Sequence, residues 1–173
     1  MQIDITAYIQ QLSEELNETA YKASDSLGRI GSDGVVEAMI ELLNHSNQES
    51  RYLAARTLGL VKINEKALTP LLEAIQKEEN KEIVGDFLAV LEGFDLSGVY
   101  VEIFRLYLFG NYRVSMLAKD LLDHKEFDIT PRVLKKAQKH WDHYSNNVKQ
   151  DDLFALRKVE VEEMLKDLKA FLK

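Results

Sequence analysis

His140 and His143 lie three residues apart in a segment with helical spacing, which places two imidazoles on one face. A metal site needs a third or fourth ligand. Asp142 falls off that face and His124 is far away in sequence, so no metal ligand set emerges. The 173 residues contain no cysteine, which excludes thiolate catalysis, disulfides and cysteine-ligated zinc. The serines offer no Gly-x-Ser-x-Gly elbow and fall where helix caps and loops are expected. Gly28, Gly31 and Gly34 are spaced like a phosphate cradle but follow a helical segment rather than a strand. Their expected use is to end one helix, with Asp33 capping the next. The carboxylate pairs Glu14–Glu18 and Glu78–Glu82 stand four apart on helices. Solvated faces are their ordinary place, because an acid/base pair needs a cleft that shifts one pKa. No catalytic residue and no cofactor follow from these patterns, and a non-enzymatic chain is expected.

What remains is binding chemistry. Arg132, Lys135, Lys136, Lys139, His140 and His143 recur at i, i+3, i+4, i+7, i+8 and i+11. They form one basic face, with Val133, Ala137, Trp141 and Tyr144 beside or opposite it. A charge run of this kind is ordinarily a solvated face. As a docking strip it suits an acidic protein or peptide, including the acidic end of a second copy, since charge speeds association and selects partners. The net charge is −7, and residues 1–50 hold two basic against nine acidic side chains. An acidic chain repels phosphate backbones, so nucleic acid is disfavoured despite the neighbouring Trp141 and Tyr144.

The elements that position these residues are helices. Proline occurs twice, strand-like alternation is absent, and helical periodicity runs throughout. The spacing predicts about ten helices, near residues 3–17, 19–30, 33–44, 48–61, 65–78, 81–94, 97–109, 112–122, 130–144 and 151–171. They repeat. Ala23 to Ile30, with Leu27-Gly28, matches Ala54 to Val61, with Leu58-Gly59, at an offset of 31 residues. Val36, Met39, Ile40 and Leu43 match Leu68, Leu71, Leu72 and Ile75, and Val99, Ile103 and Leu106 continue the series. Thr69-Pro70 and Thr130-Pro131, 61 residues apart, each read as an N-cap followed by a first-turn proline.

Aligning the second helices of these pairs exposes one departure. Where Glu37 and Thr69 stand, the third pair has Tyr100. Where Glu41 and Glu73 stand it has Phe104, and where Asn44 and Gln76 stand it has Tyr107. The helix near 97–109 is thus apolar almost all round, and such a helix is buried or meets something. The last helix or the 145–150 loop can cover the stripe. Left open, it makes an aromatic anchor for a partner.

The run from Asn47 through Arg51, Ala54, Ala55, Leu58 and Gly59, followed by Ala67 to Ile75, resembles a bacterial HEAT-like repeat, the type also found in phycobilisome-lyase relatives. That family places an arginine early in its first helix, and Arg51 and Arg113 are read as occupying that place. The resemblance spans residues 20–144 and implies an all-α fold: an α-solenoid, or superhelix, of about four HEAT-like helix pairs with N- and C-terminal capping helices. One domain, 1–173, is expected, with a cap at 1–18, repeats at 19–46, 47–79, 80–110 and 111–145, and a cap at 150–173. It further implies a scaffold gripping a protein or peptide on the concave face of its second helices. Tyr100, Phe104 and Tyr107 would be the anchors, and the basic face of 132–143 would set charge complementarity. The rival implied by the lyase relatives is a tetrapyrrole-handling protein with the aromatic helix lining a pigment pocket. HEAT-like repair proteins that bind nucleic acid are the remaining alternative. The segment at Met1 shows no basic or apolar signal and the longest near-apolar stretch, 99–109, is too short to span a bilayer, so a cytoplasmic protein without a membrane partner is expected.

Overall fold

The computed structural model describes residues 4–172; the expected start of the first helix at Ile3 lies outside them. Among the described residues there are ten α-helices, two 3-10 turns and no strand. The chain divides into two compact units between Asp95 and Leu96. The expected third pair, 80–110, therefore has its first helix in one unit and its second in the other.

In the first unit, α1 (Thr6–Leu12) is followed by α2 (Glu18–Ile30), α3 (Asp33–Leu42), α4 (Gln48–Leu60), α5 (Glu65–Ile75) and α6 (Val84–Val90), with 3-10 turns at Glu78–Asn80 and Leu91–Gly93. Asparagine side chains start α2 and α4: Asn17 accepts from the Ala20 amide at 3.0 Å and Asn47 from the Glu49 amide at 2.8 Å. The Leu-Gly repeat has a packing reason. A Cβ on Gly28 would sit 2.6 Å from Cβ of Leu60, and one on Gly59 would meet Val90 Cγ1 at 2.7 Å and the Val90 carbonyl at 3.0 Å. Successive first helices touch at these glycines, and the buried Leu27, Leu58, Met39, Leu71 and Phe87 fill the seam.

The turns between pairs are held by buried polar groups rather than by apolar ones. Arg51 is 4% exposed. Its Nε donates to Asn80 Oδ1 at 2.7 Å, one terminal nitrogen donates to the carbonyls of His45 (2.8 Å) and Ser46 (3.0 Å), and the other donates to the carbonyl of Glu79 (3.1 Å). Asn80, fully buried, donates in turn to the Ala74 carbonyl at 2.9 Å. One guanidinium thus ties the turn after α3 to the turn after α5 by taking the carbonyls of both.

Three local expectations need correction. Thr69 is not an N-cap: α5 begins at Glu65 and Pro70 lies inside it. The proline removes the donor that would meet the carbonyl of Lys66, four residues back, and Lys66 is exposed. Ser32, not Asp33, caps α3, accepting from the Val35 amide at 3.4 Å, and Asp33 is the first helical residue. The first helix stops at Leu12 rather than near Asn17. Gly31 does end α2, in the left-handed conformation at φ 54°.

The second unit holds α7 (Tyr100–Phe109), α8 (Tyr112–His124), α9 (Pro131–Asn147) and α10 (Asp152–Phe171). Here the expected caps form. Thr130 accepts from the Val133 amide at 3.2 Å with Pro131 at the first position, and Asp151 accepts from the Phe154 amide at 3.0 Å.

Candidate functional site

The aromatic stripe of α7 is core. Tyr100, Phe104 and Tyr107 are 5%, 0% and 2% exposed. This corrects the reading of these three side chains as an exposed stripe offered to a partner or a pigment: all three are buried. Their neighbours explain the burial. Phe127, from the stretch between α8 and α9, stands edge-on to Tyr100 at 5.2 Å, and Tyr100 stacks on Phe104 at 5.9 Å. At the other end α10 covers Tyr107, whose hydroxyl donates to Glu160 Oε2 at 2.6 Å. Burial, followed by this hydrogen bond, holds the Tyr107 phenol above its usual pKa and keeps it a donor.

Arg157 completes the cover. It donates to the Leu108 carbonyl (3.0 Å), to the Tyr144 hydroxyl (3.3 Å) and to Ser115 Oγ (2.7 Å), with its guanidinium carbon 4.9 Å from the Tyr107 ring centre. Ser115 donates to the Tyr107 carbonyl at 2.8 Å. Ser115 stands four residues after the cap Asn111, as Arg51 stands four after Asn47. The register of the repeat therefore puts Ser115, and not the exposed Arg113, at the place of Arg51. In the second unit the guanidinium comes instead from α10, about forty residues later, to the same kind of carbonyl at the exit of a second helix. Arg157→Ala is expected to destabilise the second unit by about 2–3 kcal/mol, from two or three charge-assisted bonds lost at a half-buried site. Urea unfolding followed by Trp141 fluorescence measures it, and Arg157→Lys should restore little, because an ammonium cannot serve three divergent acceptors.

The basic face is where the spacing places it. Ala137 and Trp141 are the buried residues of α9, with Trp141 stacked on Phe154 of α10 at 5.9 Å. The opposite side presents Arg132, Lys135, Lys136, Lys139 and His143 exposed, and His140 half-buried. None of these six is ion-paired with an acidic side chain of the described residues. Other surface cations of this unit do find carboxylates, as Lys119 does with Asp123 at 2.6 Å. The face therefore concentrates positive charge in a chain whose sum is −7.

Among the described residues no group of three His, Asp or Glu side chains could hold a metal ion, and no helix is long and apolar enough to cross a membrane. Two features escaped the sequence reading. The role of Arg157 had no local signal. Arg105 and Phe109 of α7, exposed beside the basic face, were hidden inside an otherwise apolar helix.

Stacked helix pairs joined at glycine contacts, with a buried arginine at the turn, define a helical-repeat protein of the α-solenoid class. The HEAT repeats family matches residues 5–92, just over half of the chain, and the chain belongs to that family. The match is to HEAT repeats in general and does not select the phycobilisome-lyase branch. Among curated proteins none matches the chain. Proteins of this family typically mediate protein–protein interactions.

Proposed function

We propose that the chain is a non-catalytic binding module, and that it takes an acidic segment of a protein partner along the outer face of α9. The observation that carries this reading is the set of four exposed cations, Arg132, Lys135, Lys136 and Lys139, on one helix face with no carboxylate paired to them among the described residues. Like charges at i, i+4 cost a helix roughly 0.2–0.5 kcal/mol a pair. Arg132 with Lys136, and Lys135 with Lys139, repel in this way. A ligand that brings carboxylates relieves the repulsion and gains the attraction. From 132 to 143 the strip runs roughly 16 Å along the helix axis, enough for about five residues of extended peptide. Tyr100, Phe104 and Tyr107 of α7 are buried and form no part of this face.

Fluorescence anisotropy with a labelled glutamate-rich peptide tests the reading. Binding is expected to weaken at least tenfold between about 50 and about 300 mM salt, and Lys135→Glu/Lys136→Glu should abolish it at either concentration. Undiminished binding by that double variant removes the strip from the site. Tighter binding of a short single-stranded oligonucleotide than of the peptide replaces a protein partner by nucleic acid.

A further inference from the structure

The basic face does not stop at the edge of α9. Arg105 and Phe109, one turn apart on α7, line a groove of about 410 Å³ together with Lys139, His140 and His143. Phe109 is 51% exposed, yet its ring is held: it stands edge-on to Tyr144 at 5.5 Å and lies 6.1 Å from the His143 ring. A phenylalanine fixed in this way leaves apolar area in water, and covering that area is favourable. Around it stand four groups that carry or can accept positive charge, Arg105 from α7 and Lys139, His140 and His143 from α9. Glu102 of α7 is an acidic side chain that acts on His140. Burial, then Arg105, Lys139 and His143, push the His140 imidazole below its ordinary pKa, with Glu102 opposing.

We propose that this groove is the anchor pocket for an acidic peptide segment, in which one apolar side chain lies on Phe109 while flanking carboxylates meet Arg105, Lys139 and the two histidines. The proposal rests on the reading of α9 as the docking face and adds a sequence requirement to it: acidity alone is not enough, and an apolar residue must fall within the acidic run. The mixed lining argues for this ligand over a bare anion. Free phosphate or a uniform polyanion would satisfy the cations and leave Phe109 wet. A carboxylate in the groove also reverses the field at His140, so the imidazole takes up a proton as the peptide binds. Affinity should then rise as pH falls through the histidine range.

The experiment uses the full chain and two glutamate-rich peptides, one with a central leucine and one with serine in its place, titrated by calorimetry. The wild type is expected to prefer the leucine peptide by about fivefold or more, the share of a leucine's transfer energy that partial covering recovers. Phe109→Ser should erase that preference while keeping the binding that both peptides share, and Arg105→Gln should weaken the leucine peptide more than the serine one. Between about pH 8 and about pH 6 the wild type should bind at least threefold more tightly, and His140→Gln should flatten this dependence. Equal affinity for the two peptides in the wild type, or a preference that survives both Phe109→Ser and Arg105→Gln, overturns the anchor pocket and leaves the docking face standing. Binding of neither peptide overturns both.

Discussion

Arg51→Met is expected to cost the first unit about 3–5 kcal/mol, from several buried or half-buried acceptors left without their charged donor at about 1–3 kcal/mol each. The substitution keeps most of the side chain's apolar bulk, so the loss is polar. Asn80 Oδ1 and the carbonyls of His45, Ser46 and Glu79 would each lose the donor that Arg51 supplies. Asn80 is fully buried, so water cannot easily replace what it loses. Arg51→Lys should recover only a small part, because the fork that reaches acceptors on two separate turns is a property of the guanidinium. Hydrogen exchange read by mass spectrometry locates the effect. Faster exchange is expected first at residues 44–48 and 76–81, the two turns that Arg51 ties together. Wild-type protection at both turns would show that the apolar seam alone holds them.

Phe104→Ser should have an effect of similar size in the second unit, about 3–5 kcal/mol for deleting a buried ring, with a further cost for a hydroxyl placed among Tyr100, Tyr107 and Ile103. Phe104 is fully buried, stacked at 5.9 Å from Tyr100 and 6.3 Å from Tyr107. Loss of its ring removes the packing between Tyr100 and Tyr107, the two rings that Phe127 and α10 themselves contact. The comparison that gives this force is Phe109→Ser on the same helix. Five residues further on, at an exposed site, it should change stability by less than about 1 kcal/mol. A Phe104→Ser protein that melts like the wild type would place the aromatic stripe at the surface and return it to the list of partner contacts.

The two arginines show why the repeat was readable and its variation was not. The contact of Gly59 with Val90 and that of Gly28 with Leu60 leave a local trace, the Leu-Gly pair at helical spacing, because each first helix must be small at the point where the next one crosses. Arg51 also leaves a trace, a basic residue one turn inside a helix. In the second unit the same task falls to Arg157, which lies 49 residues from Leu108 and 42 from Ser115. Nothing around Arg157 in the chain marks it, and the arginine that looked equivalent, Arg113, stands two residues out of register.

The prolines divide in the same way. Thr130-Pro131 is a cap because the residues before it, 125–129, form no helix, and Thr69-Pro70 is not because α5 has already begun at Glu65. A dipeptide carries the preference of its own backbone, but whether a helix is already under way is settled by the apolar residues that neighbouring helices bury, here Ala67, Leu71 and Leu72.

By itself the sequence determined that this chain is helical, that its helices repeat in pairs, and that one face of α9 is basic. Each of these follows from residue type and period, which act over a turn or two of the chain. Tertiary structure alone decided that Tyr100, Phe104 and Tyr107 are covered, that Arg157 and Glu160 hold the cover in place, and that Phe109 and Arg105 are left beside the basic face. A helix that is apolar all round has no preferred outside; which of its residues meets solvent depends on where α9 and α10 come to lie, and that is fixed by contacts between residues some thirty to fifty positions apart.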